Sequence, residues 1–299
     1  MHIIRHALCI TDLGADIYPV CVRMNYQGTK SSVNVSRAYL DELYHQYNHR
    51  GFISPDPLEF VWLYADPLEQ EIVGLVASAL AYGRVAQIKR SVACILDRMK
   101  PTPRAFIEDV SQERLLQVFE GFKHRFTTEF ELADFMLGIR RVISLHGSLK
   151  RCFLKSLKPG HDSTVHALGA LVKELRSTFP DQYNSLLPHP EKKSACKRLH
   201  LFLRWMVRRD DVDPGVWDGI SPALLIVPLD THMYSICSRL GMTCRAVSDM
   251  KTALEITACF RNIIPEDPVR YDFALTRLGI RPDAVCSAGQ QHPARLLNG

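Results

Sequence analysis

At 299 residues, 46% hydrophobic and 23% charged, the chain has the balance of a globular protein with material for one large domain or two smaller ones. It lacks the run of roughly eighteen apolar residues that a membrane-spanning helix needs. Lys and Arg number 37 against 32 Asp and Glu, so the net charge of +5 excludes little and its distribution matters more. Nine cysteines, an odd number with no Cys-x-x-Cys pair, fit a reducing cytoplasm better than a disulfide framework.

The opening MHIIRHALCITDLGAD breaks its apolar stretch with Arg5, His6 and Asp12, which does not suit a signal peptide. Residues 1–33 show little periodicity and are expected to form a loosely ordered extension. From 34 to 285 the pattern is helical nearly throughout. SPDPLEF and YADPLEQ both open helices: Asp56 and Asp66 serve as N-caps, Pro57 and Pro67 fit the first helical position, and Glu59 and Glu69 stand at capping-box spacing. Beyond Gly83, residues Val85, Ile88, Val92, Ile95, Leu96 and Met99 fall on one face, with Lys89, Arg90 and Asp97 away from it, until KPTP ends the helix. Further helices are predicted over 111–119, 129–145, 164–178, 195–208, 231–240, 249–261 and 268–278. No alternating strand pattern appears, and ALLIV at 223–227 is at most a short extended piece. Residues 156–163, 179–193 and 210–222 read as loops, and 286–299 as a flexible tail. The expected architecture is all-α: two packed helical subdomains with a cleft between them.

The stretch KKSACKRLHLFLRWMVRR, 192–209, holds seven Lys or Arg residues and no acid. Leu199, Phe202, Leu203, Met206 and Val207 make an apolar stripe. Lys197, Arg204 and Arg208 share another face, because steps of seven and eleven residues return to nearly the same angle. Such a face is either simply solvated or binds phosphate. Downstream, PLDTHMYSICSRLG sets Asp230, Thr231 and His232 at a helix start. Asp is a favoured N-cap, and a carboxylate fixed by helix amides is also positioned for chemistry, so Asp230 can do both.

The phrase PLDTHMYSICSRLG resembles the helix-start motif of the helix-hairpin-helix DNA glycosylases, in which an Asp precedes Thr, His and an apolar helix containing Arg. The Gly-rich hairpin that carries a Lys nucleophile in bifunctional members is missing here, and KRLHLFLRWMV stands upstream instead. That is similar to the archaeal 8-oxoguanine glycosylase branch, where a Lys begins a helix with a second cation seven residues on. Lys197, Phe202 or Leu201, Arg204 and Trp205 fit that order approximately. From about 36 to 283, with NHRGFISPDPLEF, EIVGLVASALAYGRV, PLDTH and DPVRYDFALTRLGI, the chain also resembles a family of uncharacterised bacterial proteins near this superfamily.

The resemblance implies a DNA glycosylase with AP-lyase activity on a damaged base, most simply an oxidised purine. Lys197 would be the nucleophile and Asp230 the group that stabilises positive charge on the sugar. Arg198, Arg204, Arg208, Tyr82, Arg84, Trp205 and His232 would contact nucleic acid. Phe202, Trp205 and Trp217 are possible stacking surfaces for an extruded base, or plain core. Tyr82, Gly83 and Arg84 sit between two helices, where a side chain could fill the gap a flipped base leaves, or Gly83 could merely cap a helix. Asp210, Asp211 and Asp213 read as a turn or cap rather than a cation site. Cys237 and Cys244 lack the further pair an iron–sulfur cluster needs, and no His spacing suggests a metal. The reading needs no cofactor and expects a monomer acting on duplex DNA, without a membrane. Its rivals are a nucleic-acid-binding protein that has lost the chemistry, and an enzyme acting on RNA or nucleosides.

Overall fold

The computed structural model describes residues 35–178, 183–190 and 192–280, together with the antiparallel pairing of Arg23–Met24 with Lys30–Ser31. Apart from that pairing, the expected extension lies outside the described residues, as does the expected tail. Within the described residues the protein is all-α. The helices are α1 (Arg37–Tyr47), α2 (Pro67–Ala79), α3 (Val85–Arg98), α4 (Pro103–Asp109), α5 (Gln112–Val118), α6 (Glu129–His146), α7 (Leu149–Ser156), α8 (Val165–Arg176), α9 (Lys197–Val207), α10 (Thr231–Arg239), α11 (Met250–Ile263) and α12 (Asp272–Ile280). A second small hairpin pairs Lys123–His124 with Thr127–Thr128. No described helix is long and apolar enough to cross a membrane.

Helix α2 is the axis of the fold. Every residue from Glu69 to Ala79 is buried: the helix is apolar on all sides from Ile72 to Ala77, and its polar first turns are buried with it. It packs against α9, where the flexible end of Met206 lies over Gly74, 2.8 Å from where a Cβ would stand. The second close crossing, α6 on α8, depends on Gly138, where a Cβ would come within 2.1 Å of the Leu175 carbonyl oxygen.

The two capping sequences behave differently from their spacing. Asp66 caps α2 through the Leu68 amide at 2.8 Å, with Pro67 at the first position. Asp56 caps through the Leu58 amide at 3.0 Å, but Pro57–Leu63 is a 3-10 helix, because the next extended cap arrives only a few residues on. Neither glutamate completes its expected box. Glu59 pairs with Lys89 of α3 at 2.7 Å. Glu69 accepts the Arg104 amide at the start of α4 at 2.9 Å. Glu71 likewise accepts the Leu149 and Lys150 amides that open α7, at 2.8 and 3.1 Å, and the Trp217 indole N–H at 3.0 Å. The buried acids of α2 therefore cap other helices. A helix start inside the core must find partners for its free amides, and a neighbouring carboxylate supplies them.

The remaining helices follow the predicted pattern with shifted ends. Helix α12 starts at Asp272, four residues later than expected, and α1, α4 and α7 are short helices the periodicity did not resolve. In KPTP the same four residues end α3 and begin α4, with Thr102 accepting the Ala105 amide at 3.2 Å. ALLIV is not a strand: Ala223 and Leu224 end a half-buried 3-10 turn (Pro222–Leu224), and Leu225, Ile226 and Val227 are buried and irregular. It is tied down by the Val227 amide donating to Thr257 Oγ1 at 3.0 Å, and it leads directly into α10.

Candidate functional site

Five pieces of chain converge on one cleft of about 550 Å³: the starts of α9 and α10, the α2–α3 connection, the first turns of α12, and the Asp56 cap opposite. That volume falls within the ~300–1,000 Å³ of ordinary small-molecule sites. Lys197 is the first residue of α9, entered through Cys196 in a left-handed conformation (φ 45°). Asp230 is the N-cap of α10: its Oδ1 accepts the Met233 amide at 2.7 Å. Its other oxygen, Oδ2, lies 3.5 Å from Lys197 Nζ, and each side chain keeps about a third of its surface open, 31% and 32%. Capping and facing the cleft are thus divided between the two oxygens of one carboxylate. The Lys197 ammonium also reaches the Ala81 carbonyl at 3.5 Å, near the carbonyl end of α2, where a cation is favoured.

Of the other expected cations, Arg198, Arg204 and Arg208 are not available to phosphate, whereas Arg84 is exposed. Helix α9 is buried from Leu199 through Val207, so it has no solvated basic face. Arg204 is 2% exposed and its guanidinium grips Asp213, at 3.1 Å, and Asp272. Burial alone would lower the Arg204 pKa, but the two carboxylates outweigh it and hold it above the usual range. Arg208, 3% exposed, engages Asp267 and Asp210, each at 2.9 Å, and Asp213. The acids after the basic helix are its counter-charges. The chain reverses at Gly215 (φ 57°), where a Cβ would strike the Arg208 carbonyl oxygen at 2.5 Å, and this fold-back brings Asp213 under α9. Burial drives Asp213 up to about 6, with Arg204 and Arg208 offsetting only part of the cost. Two charge runs of opposite sign, adjacent in sequence, were the signal for this pairing.

Arg198 is half-buried and committed to the Ala79 carbonyl and, at 2.5 Å, the Ser185 carbonyl, with its guanidinium 4.8 Å from the Tyr82 ring centre. Trp205, Phe202 and Trp217 are 0%, 0% and 2% exposed and belong to the core, so none is a stacking platform. Tyr82 lines the cleft, but its hydroxyl donates to the His124 carbonyl at 3.0 Å and lies 2.6 Å from Thr127 Oγ1. That anchorage makes it a fixed wall rather than a mobile plug. Gly83 (φ 94°) lies in the α2–α3 connection, past the end of α2, and Arg84 is exposed at the N-cap of α3.

Sequence reasoning missed several lining residues. Asp56 faces Arg277 at 2.8 Å, so the cleft is walled by opposed pairs: Asp56 with Arg277, Asp272 with Arg204, Asp230 with Lys197. It is balanced in charge rather than basic. His232 Nε2 and Asp272 Oδ1, both on lining residues, are buried atoms without a hydrogen-bond partner among the described residues. Burial raises the Asp272 pKa, and Arg204 only partly reverses this. Asp272 lies 42 positions from Asp230, and no local motif connects them. Among the described residues no group of three His, Cys, Asp or Glu could hold a metal ion.

A family model described as a protein of unknown function (DUF2400) matches residues 56–281, which run from the Asp56 cap to just past the end of α12 and include every cleft residue but Pro55. No curated protein matches the chain, and neither does any solved structure.

Proposed function

The chain belongs to the DUF2400 family, and on the chemistry of its cleft we propose that it is a DNA glycosylase with AP-lyase activity that removes a damaged base, with an oxidised purine as the first candidate. One observation carries the reading: an amine and a carboxylate, remote in sequence, stand 3.5 Å apart at two helix starts and open together into a cavity of nucleotide-binding size. The resemblance of PLDTH and of the Lys197 helix to the helix-hairpin-helix glycosylases supports it.

In this reading the deoxyribose C1′ sits on the cleft side of the pair, within reach of both groups. As the glycosidic bond breaks, its electron pair leaves with the base and positive charge builds on the sugar, which the Asp230 carboxylate stabilises. The Lys197 ammonium gives a proton to the departing base, and its nitrogen then bonds to C1′. Ring opening gives a Schiff base, and loss of a C2′ proton expels the 3′ phosphate. Asp230 cannot drift from its post, because its Oδ1 is held by the Met233 amide.

The test is borohydride trapping on a duplex containing 8-oxoguanine or an abasic site. The wild-type protein and Lys192→Ala should give a covalent adduct, and Lys197→Ala none. An adduct that survives in Lys197→Ala, or a wild-type protein that gives none, removes the proposal. The charge balance of the cleft favours one second reading, the same bond cleavage on a free nucleoside, since such a substrate brings no phosphate chain to neutralise. Competition by nucleosides but not by duplex DNA would select it.

A further inference from the structure

With Arg198, Arg204 and Arg208 spent inside the protein, a nucleic-acid partner would need cations elsewhere, and a second surface beside the cleft offers them. Arg90 and Arg98 of α3 and Lys123 of the small hairpin line a shallow groove of about 360 Å³ whose lining contains no carboxylate. The hairpin tip, Arg125–Phe126, touches the cleft wall at Tyr82 and Gly83 and lies two and three residues on from Lys123 of the groove. Phe126 is 60% exposed, although it is a large apolar side chain beside a buried core. Its ring stacks on Tyr82, a wall of the cleft, at 5.0 Å between centres and 23° between planes. Arg125, in a left-handed conformation (φ 55°), lays its side chain across Gly83, so closely that a Cβ there would meet it at 2.8 Å.

The tip is exposed but its roots are not. His124 and Thr127 are both 0% exposed. Burial lowers the His124 pKa, so the ring is neutral. Its Nε2 faces the Tyr82 carbonyl at 3.1 Å and must carry the proton, which leaves Nδ1 to accept from the Ser91 hydroxyl at 2.8 Å. Thr127 Oγ1 bonds to Tyr82 at 2.6 Å and to Ser185 at 2.7 Å. The hairpin is therefore fastened to α3 and to the cleft wall and presents one aromatic ring flanked by cations.

We propose that this surface binds duplex DNA: Arg90, Arg98 and Lys123 hold the phosphates of one strand, and Phe126 enters the base stack next to the nucleotide drawn into the cleft. The proposal rests on the glycosylase reading for the identity of the cleft's occupant. An aromatic wedge between base steps with cations on the neighbouring phosphates is how many proteins hold opened duplexes. Phosphate contacts release counterions, which makes them measurable separately from chemistry.

The experiment is fluorescence anisotropy with a fluorescein-labelled duplex carrying a tetrahydrofuran abasic analogue, which the lyase step cannot cut. Phe126→Ala should weaken binding about tenfold, while Leu145→Ala, an exposed residue near the far end of α6, should stay within twofold. Arg90→Ala should reduce the slope of log affinity against log salt by about one. Affinity and slope unchanged in both variants, or no binding by the wild-type protein, overturns the proposal. Binding that depends on Phe126 and Arg90 without a borohydride adduct would refute the chemistry and leave this surface standing. An adduct formed equally well by Phe126→Ala and Arg90→Ala, with unchanged binding, would remove the surface alone.

Discussion

Glu71 offers the sharpest check on how α2 organises the fold. It is 2% exposed, and burial pushes its carboxyl from 4.5 up to about 7, with the Leu149, Lys150 and Trp217 N–H donors opposing the shift only in part. Between those two pH values the folded protein holds a proton that the unfolded chain has released. The unfolding free energy therefore falls as pH rises, by about 1.4 kcal/mol per unit. Across the whole window the contribution of Glu71 to stability drops by roughly 3 kcal/mol. It is fully present below about pH 4.5 and lost as pH rises through 7. Glu71→Gln imitates the protonated form at every pH. Its amide nitrogen cannot accept, so one of the three donors goes unpaired at a cost of about 1–3 kcal/mol. Urea unfolding followed by circular dichroism, at steps from pH 4 to pH 8, should show the gap between the two proteins shifting by roughly 3 kcal/mol in favour of the variant as pH rises. All other titrating groups are common to both and cancel. Parallel stability curves would mean that the three N–H donors offset the burial of the Glu71 carboxyl in full, and the reasoning that burial outweighs them would fail.

Gly138→Ala should cost about 1–3 kcal/mol or more in the same urea assay, because backbone blocks the new methyl, whereas Gly74→Ala should stay within about 1 kcal/mol, since the Met206 side chain can swing away. Arg204→Met leaves the buried Asp272 carboxylate without its cation and Asp213 with Arg208 alone, and should cost about 3–5 kcal/mol near pH 8. The loss should shrink toward pH 5 as those carboxyls take up protons, while Lys192→Ala stays within about 0.5 kcal/mol. Asp230→Asn keeps an N-cap of equal quality, so its melting temperature should match the parent, but borohydride adduct formation should slow about 100-fold or more. A variant that traps at the parental rate would show that the Asp230 charge has no part in the chemistry, and one that melts early would show that asparagine does not replace the cap.

The all-α class and most helix bodies were legible in the sequence because apolar spacing is a local property that each segment carries alone. The Asp56, Asp66 and Asp230 caps were legible for the same reason: a cap acts on amides two or three residues away. The juxtaposition of Lys197 and Asp230 was expected from resemblance, but their 3.5 Å separation exists only in the assembled protein. The direction of a charged side chain was signalled only where opposite charges are neighbours in sequence, as for Asp210 and Asp213 after the basic helix; partners in remote segments were not legible. Arg204 and Arg208 sit at spacings that suggest a phosphate-binding face, and Glu69 at the spacing of a box that would close on its own helix. Each turns instead to a partner in another segment: Asp272 and Asp267 for the arginines, the Arg104 amide for Glu69. A helical wheel fixes the angle of a residue but not what lies across from it. For a charge or a free amide entering a dry interior, the cost of going unpaired is settled by whichever neighbour the tertiary fold delivers.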